Sequence, residues 1–540
     1  MLSSFDNYSD AQKKIIEAYR KFVAKHKRHP VRADMGKLGF KRDTIRRHFV
    51  SMTELRATIK KLFPEDFIEV FDEDLFTPKK FQKLKSEVKK YKRFVITTAV
   101  NGCKVHLGFL NSIETYCKRN DAILLIIPSN DPAHNLDNKH GWNFDPILVS
   151  KLIVFDDLEL NNNLHVSSIL IGAKQIDPVT GLDRIGQRDG SFIYASPKQR
   201  MRVVPVGKGK LPHVLMTTGA LTEADYTTDR FMSERTAYIA ASDHILGAII
   251  VELEDDEIFH FRQIQANSQG HFIDLSSCYQ GTKITKVCPE AIVLGDWHTG
   301  ETDPVAKSCW VEIIKELKPE TIVLHDIFTA RSISHHDNVK LLNKAKKAEL
   351  GLLNLEQELR LVAEELNELA KLAPNVVIVK SNHDEHLERW LQEGRYQDEP
   401  HNMSLGLKLA SAYIDGFDPL KWALENIIGL ENKNKFRWLA RDESFKISKI
   451  ELGVHGDIGS GGSRGNIKNF ETSYGACITG HTHTPQILRG AWIVGTSTYL
   501  DLEYNKGSSS WLQTSGLVYP NGSRQLINII EGEWKLKNAD

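Results

Sequence analysis

Five short apolar runs in the second half of the chain each end on a residue able to hold a metal ion. AIVLGDWHTG stops at Asp296, skips one position and presents His298; TIVLHD ends at Asp326; NVVIVKSNHD carries Asn382 and His383; ELGVHGD carries His455; and ACITGHTH carries His481 and His483. A run of this kind reads as a buried strand. A strand ending on Asp-x-His sets a hard carboxylate oxygen beside an imidazole nitrogen at one sheet edge, a mixed donor set that suits a divalent transition metal. One such end carries little weight, because polar residues often do nothing more than terminate a strand. Five in succession form a pattern.

The elements that would position these residues alternate strand and helix from about Cys288 onward. A long helix between the second and third runs carries Leu352, Leu355, Leu359, Val362, Leu366 and Leu369 at heptad spacing and ends before Pro374. That seam either covers the domain's own sheet or meets another subunit. After His455, GDIGSGGSRG (456–465) could cradle a phosphate in its backbone amides with Arg464 beside them, or be a plain loop. Upstream, RFVITTAV and AILLIIP flank an amphipathic pattern through Phe109, Ile113 and Tyr116, a β-α-β unit. Neither strand leads into a glycine fingerprint, so no nucleotide cofactor is expected. Residues 146–287 read as strand-rich, with Asp243, His244 and His271 as ordinary core or surface residues.

The amino end reads as helical. Ser9 or Asp10 can cap a helix with the stripe Ile15, Tyr19, Phe22 and Val23; a short helix around Asp34 to Leu38 meets a turn at Gly39-Phe40; and a third helix begins near Asp43 with Ile45 and Phe49 inward. This is a helix-turn-helix outline whose outer face carries Lys41, Arg42, Arg46 and Arg47. The chain has no formal net charge, yet residues 1–62 hold 16 Lys and Arg against 6 Asp and Glu. Such asymmetry points to a polyanion, here DNA, although a small bundle with a solvated basic face has the same pattern.

With 540 residues, the chain divides into a helical DNA-binding segment (1–70), a charged linker or solvated helix (71–92), a middle α/β and strand-rich domain (93–287) and a catalytic domain (288–540). Its six cysteines are scattered singly, without a C-x-x-C pair. No apolar run is long enough to span a membrane and no secretory leader is evident, so a cytoplasmic location is expected.

The ordered set D-x-H, D, N-H-D, H, G-H-x-H resembles the calcineurin-like metallophosphoesterases over about 291–492. That resemblance implies an α/β fold, a β-sandwich flanked by helices, with two divalent ions, manganese first and zinc or iron as alternatives. One ion would be held by Asp296, His298, Asp326 and His483, the other by Asp326, Asn382, His455 and His481, with Asp326 bridging. The ions would supply a metal-hydroxide for in-line attack on phosphorus, and His383 would protonate the leaving oxygen. Three positions depart from the family. His325 and Ser381 replace glycines, and Thr329 stands where the protein phosphatases have the Asp that orients the catalytic histidine, leaving Asp384 or His325 as candidate partners. The string Asp326-Ile327-Phe328 is similar to the D-L-F of the double-strand-break repair nucleases, which favours DNA as substrate. The domain layout also resembles pre-early proteins of large tailed coliphages required for host-DNA degradation and DNA transfer, implying a homo-oligomeric nuclease in the host cytoplasm. The expected function is therefore a metal-dependent DNase. A phosphomonoesterase or cyclic-nucleotide phosphodiesterase is the alternative, and a DNA-binding scaffold with a dead site the third reading.

Overall fold

The computed structural model describes residues 5–26, 30, 32–63, 78–129, 144–171, 175–226, 233–335 and 339–537. Four amino-terminal helices, Asp10–His26, Arg32–Lys37, Arg42–Phe49 and Met52–Leu62, close on a core of Ile15, Ile16, Tyr19, Val23, Met35, Ile45, Phe49, Leu55 and Ile59. The turn expected at Gly39 is present, with φ of +90° where a side chain would be strained. Ser51 caps the fourth helix by accepting from the Glu54 amide; the sequence pattern alone does not separate this helix from the third. Lys41, Arg46 and Arg47 are exposed, while Ile45 and Phe49 are buried.

The stretch expected as a linker lies partly outside the described residues. Its later part forms the helix Pro78–Val88. Lysine-rich as it is, this helix buries Phe81, Leu84 and Val88, spaced three and four apart, among side chains of the sheets. It is neither linker nor fully solvated.

Three large sheets follow. A five-stranded sheet orders Phe259–Gln265, Gly247–Leu253, Arg93–Val100, Ala122–Ser129 and Leu152–Ile153. A six-stranded sheet orders Phe436–Trp438, Asn375–Ile378, Thr321–Leu324, Ala291–Val293, Gln513–Val518 and Arg524–Ile529. The third has ten strands: Lys446–Ile447, Ile450–Glu451, Cys477–Thr479, Ala491–Ile493, Gln486–Leu488, Arg200–Val204, His213–Thr217, Ser191–Tyr194, Leu164–Ser167 and Leu158–Asn161. The ten-stranded sheet runs across the division expected at 287/288, while the five- and six-stranded sheets lie one on either side of it. The strand Gln486–Leu488 would otherwise expose a row of unpaired amides and carbonyls, and Arg200–Val204 from the middle region pairs with it antiparallel.

Alternation along each strand explains the layers. Val293, Val323 and Val377 share one core with Ile478 and Trp492 of the ten-stranded sheet, and Phe94, Ile96 and Val251 of the five-stranded sheet join the same core. The neighbouring positions Ile292, Ile322 and Val376 face the other way, onto Trp310 and Ile313 of helix Pro304–Leu317 and Leu359, Val362 and Leu366 of helix Leu355–Leu369. The heptad seam thus covers the domain's own sheet. Burying each such side chain is worth roughly 1.5–3 kcal/mol; Leu352, the first residue of the expected seam, precedes the helix and is half-buried. On the far side, Val95, Ile126 and Ile250 meet Phe109, Leu110, Ile113 and Tyr116 of helix Leu107–Asn120.

Candidate metal centre

The expected ligand residues converge where the strands of the six- and ten-stranded sheets end. Asp296 and His298 follow Ala291–Val293, Asp326 follows Thr321–Leu324, Asn382 and His383 follow Asn375–Ile378, and His481 and His483 follow Cys477–Thr479. Beyond the strand ends the backbone stays stitched: Trp297, His298 and Thr299 donate to the carbonyls of His325, Asp326 and Ile327 at 3.0, 2.7 and 3.2 Å, and Gly480 donates to His455 at 2.7 Å. Each loop is thereby fixed to its neighbour before any side chain acts.

Two groups of potential donors form. Asp296, His298, Asp326 and His483 make one; Asp326, His455 and His481 make the other; within each, one ligand atom per residue lies within 4.8 Å of all the others. Asp326 belongs to both. Its Oδ2 lies 3.2 Å from His455 Nε2 and 3.5 Å from His298 Nε2, while His483 Nε2 is 3.2 Å from Asp296 Oδ2 and 3.1 Å from His298 Nε2. Asn382 joins the second group through its amide oxygen, 3.0 Å from His455 Nε2.

The chemistry of this cluster fits a metal ion. Asp296 and Asp326 are fully buried, and Oδ1 of each, with Nδ1 of His298 and His483, has no hydrogen-bond partner. A buried carboxylate oxygen left unpaired is costly unless a cation compensates it. The electrostatics point the same way. Burial pushes the Asp326 carboxyl up, but the imidazoles of His455, His383 and His298 outweigh it and hold the group well below the ordinary carboxylate range. Burial drives His298 down to about 3 and His325 to about 4, so both are neutral imidazoles at pH 7. Against the same burial, the Asp326 carboxylate holds His455 up at about 9, so a metal ion taking His455 as ligand displaces a proton.

Backbone geometry marks the same residues. His298, Asp326, His481 and His483 all have left-handed φ, at 48°, 48°, 73° and 56°. Non-glycine residues rarely adopt this region, and its cost of about 1–3 kcal/mol each persists where surrounding structure dictates it, often at functional sites. Gly480 is required by contact: a Cβ there would sit 2.2 Å from Asp296 Oδ1.

His383 stands at the rim, half-buried, its ring edge-on to His298 with centroids 4.7 Å apart. Neither residue considered as its orienting partner contacts it in that role. The Asp384 carboxylate instead accepts from the Ser381 amide at 2.9 Å, and His325 packs beside His455 with Nδ1 atoms 3.5 Å apart. The partner is the backbone carbonyl of Thr329, which accepts from His383 Nδ1 at 3.0 Å. A carbonyl leaves no mark in a side-chain pattern, so sequence reading could not find it. Trp511, whose ring lies 4.2 Å from that of His483, was also missed, since one tryptophan in a loop carries no signal.

Other expected sites lie apart. In the glycine loop, Gly459, Gly462 and Gly465 already donate to Ser463, Gly459 and Asp457 carbonyls, so those amides are not presented to a phosphate; Arg464 is exposed. Lys41, Arg42, Arg46 and Arg47 belong to the amino-terminal helices, which contribute no ligand to the cluster. His244 is half-buried and bonded to Tyr226 and to the Thr222 carbonyl. Among the described residues no helix is long and apolar enough to cross a membrane.

The site thus defines a mixed α/β protein with a buried Asp/His group that could hold a metal ion. No family model and no solved structure matches the chain. It is 31% identical over 474 residues to Protein A1 of Escherichia phage T5, an alignment covering 83% of this chain and 84% of that one. The chain belongs to the Protein A1 family.

Proposed function

We propose that the protein is a metal-dependent deoxyribonuclease of the calcineurin-like metallophosphoesterase class, holding two divalent ions, manganese first, and acting on host DNA in the cytoplasm of a phage-infected cell. The observation that carries this reading is Asp326, one buried carboxylate shared by two histidine-containing donor groups. In this reading Asp296, His298, Asp326 and His483 hold one ion, and Asp326, Asn382, His455 and His481 hold the other. Bound there, such ions act as Lewis acids on a phosphoryl oxygen and lower the pKa of water.

The chain's own residues do the rest. Neutral His298 presents a nitrogen lone pair inward, and the stitched loops fix the separation of the two groups. The Thr329 carbonyl holds His383 by Nδ1–H, which leaves Nε2 on the opposite side of the ring, facing away from that carbonyl. His383 gives its Nε2 proton to the leaving deoxyribose oxygen. The basic face of Lys41, Arg42, Arg46 and Arg47 engages the DNA backbone, and the protein works as a homo-oligomer.

The test is purified protein with manganese on linear and closed-circular plasmid, beside a chromogenic phosphomonoester. DNA cleavage abolished by chelation, and slowed about 100- to 10,000-fold in His383→Ala with metal retained, is expected. Turnover of the monoester alone would replace this reading with a phosphomonoesterase.

A further inference from the structure

The middle region and the metal-bearing region share one topology. Phe259–Gln265, Gly247–Leu253, Arg93–Val100, Ala122–Ser129 and Leu152–Ile153 are joined by antiparallel, antiparallel, parallel and parallel pairings. Arg524–Ile529, Gln513–Val518, Ala291–Val293, Thr321–Leu324 and Asn375–Ile378 repeat that series in the same chain order. The two halves of the ten-stranded sheet correspond as well. From either end inward the pairings run antiparallel, parallel, parallel, antiparallel, and in both halves the last two strands in space are reversed relative to the chain.

Finer detail follows the same rule. Each first strand leads to a 14-residue helix, Leu107–Asn120 or Pro304–Leu317, ending on a left-handed residue, Asp121 or Lys318. The residue capping each helix, His106 or Asp303, donates its amide at 2.9 Å to Leu221 or Ser497. The isolated bridges Thr98–Ala220 (parallel) and Val105–Thr222 (antiparallel) recur as Asp296–Thr496 and Thr302–Thr498.

We infer that residues 93–265 are a second copy of the fold that carries the metal centre, stripped of its ligands, and that this copy is a built-in partner holding the His481/His483 loop in place. The inference rests on the metal reading of that loop. The matched bridges put Thr98 where the other copy has Asp296, and Val100 where it has His298. The pairings Arg93 with Ala122 and Ala291 with Thr321 put Ile127 at the place of Asp326. Counted from Ala220 and Thr496, the pairings Phe192 with Leu215 and Cys477 with Ala491 put Ser196 and Lys198 at the places of His481 and His483. The pairings Leu125 with Leu152 and Leu324 with Ile378 put Asp156 at the place of Asn382, and one carboxylate without an imidazole beside it does not make a transition-metal site.

The copies meet on strands Arg200–Val204 and Gln486–Leu488, where Met201 faces Ile487 and Arg200 faces Leu488. Met201 and Ile487 are themselves corresponding residues, so the seam has the self-complementary form of a two-fold dimer interface within one chain. Gln486 begins three residues after His483. Arg200, buried at 3% exposure, donates Nη1 to the Ile487 carbonyl at 2.8 Å and is anchored through Nε to Asp177 Oδ1 at 3.1 Å. Arg200 is thus a positioning residue, acting on the ligand loop through the backbone of its strand.

Manganese titration of the full chain by calorimetry, with circular dichroism as folding control, tests both parts. Arg200→Met is expected to weaken manganese binding roughly 10- to 100-fold, the usual scale for supports behind ligands, with Arg200→Lys recovering part of it. Unchanged affinity in a folded Arg200→Met would overturn the positioning role. Should Arg200→Met not fold, Asp177→Asn, which only loosens the anchor, must weaken binding in its place. Replacing Asp296, Asp326 and His481 together by Ala is expected to abolish all saturable binding; a site surviving in that variant would overturn the ligand-free copy. A wild-type chain that binds no manganese would remove the metal reading, and this inference with it.

Discussion

Asp326→Asn isolates the shared carboxylate at almost constant volume. A unit charge about 4 Å away is worth about 4 kcal/mol at an effective dielectric near 20, so its loss should cost each ion about a thousandfold or more in affinity. Because Asp326 belongs to both donor groups, both ions should be affected, whereas Asp296→Asn touches only the group containing His298 and His483. The assay is manganese calorimetry, paired with denaturant unfolding with and without metal. At a metal concentration 100 times Kd the wild-type protein should gain about 2.7 kcal/mol for each site. Asp326→Asn should gain almost none, and Asp296→Asn should retain part. Equal residual binding in the two variants would refute a shared carboxylate, and the two groups would then be one site with spare ligands.

Three further outcomes are expected. Gly480→Ala changes no ligand, yet its Cβ would fall 2.2 Å from Asp296 Oδ1; manganese affinity should fall while circular dichroism stays that of the wild type. Reversing Arg42, Arg46 and Arg47 to Glu should flatten the salt dependence of DNA affinity, by about 0.9 in the log-log slope for each phosphate no longer neutralised, and leave hydrolysis of a small chromogenic diester unchanged. His244, pushed down by burial to about 4 from 6.5, is neutral in the folded protein where the unfolded chain would be protonated. Its contribution is therefore intact above pH 6.5 and lost as pH falls toward 4, about 3 kcal/mol in all. Urea midpoints at pH 7 and 4.5 should converge in His244→Gln relative to the wild type.

Strand-end chemistry was legible because it is local. Asp-x-His, Asn-His and His-x-His each sit directly after an apolar run, and the structure gathers those residues at one sheet end. The amino-terminal helices were legible for a similar reason: Ile15, Tyr19, Ile45 and Phe49 fall at helical spacing, and Gly39 marks the turn. The helix Pro78–Val88 was hidden under lysines whose stems flank only three buried residues. The relation between the two copies was hidden more deeply. FIYASPKQRMRV and CITGHTHTPQIL form matching strands, but once the ligands are gone only the alternation of apolar residues is common to them. Pairing partners nearly 290 positions apart have no signature in a single sequence.

The seam between the copies has a consequence for synthesis. Arg200–Val204 leaves the ribosome well before its partner Gln486–Leu488, and at about 5–20 residues per second the intervening chain takes about 15–60 seconds to make. During that interval the first copy presents an unpaired strand edge already shaped for an equivalent of itself. Two nascent chains on one messenger can satisfy it with each other, exchanging copies between molecules. Slowing translation of 205–485 should therefore raise the yield of exchanged dimers, and speeding it should raise the yield of chains closed on themselves.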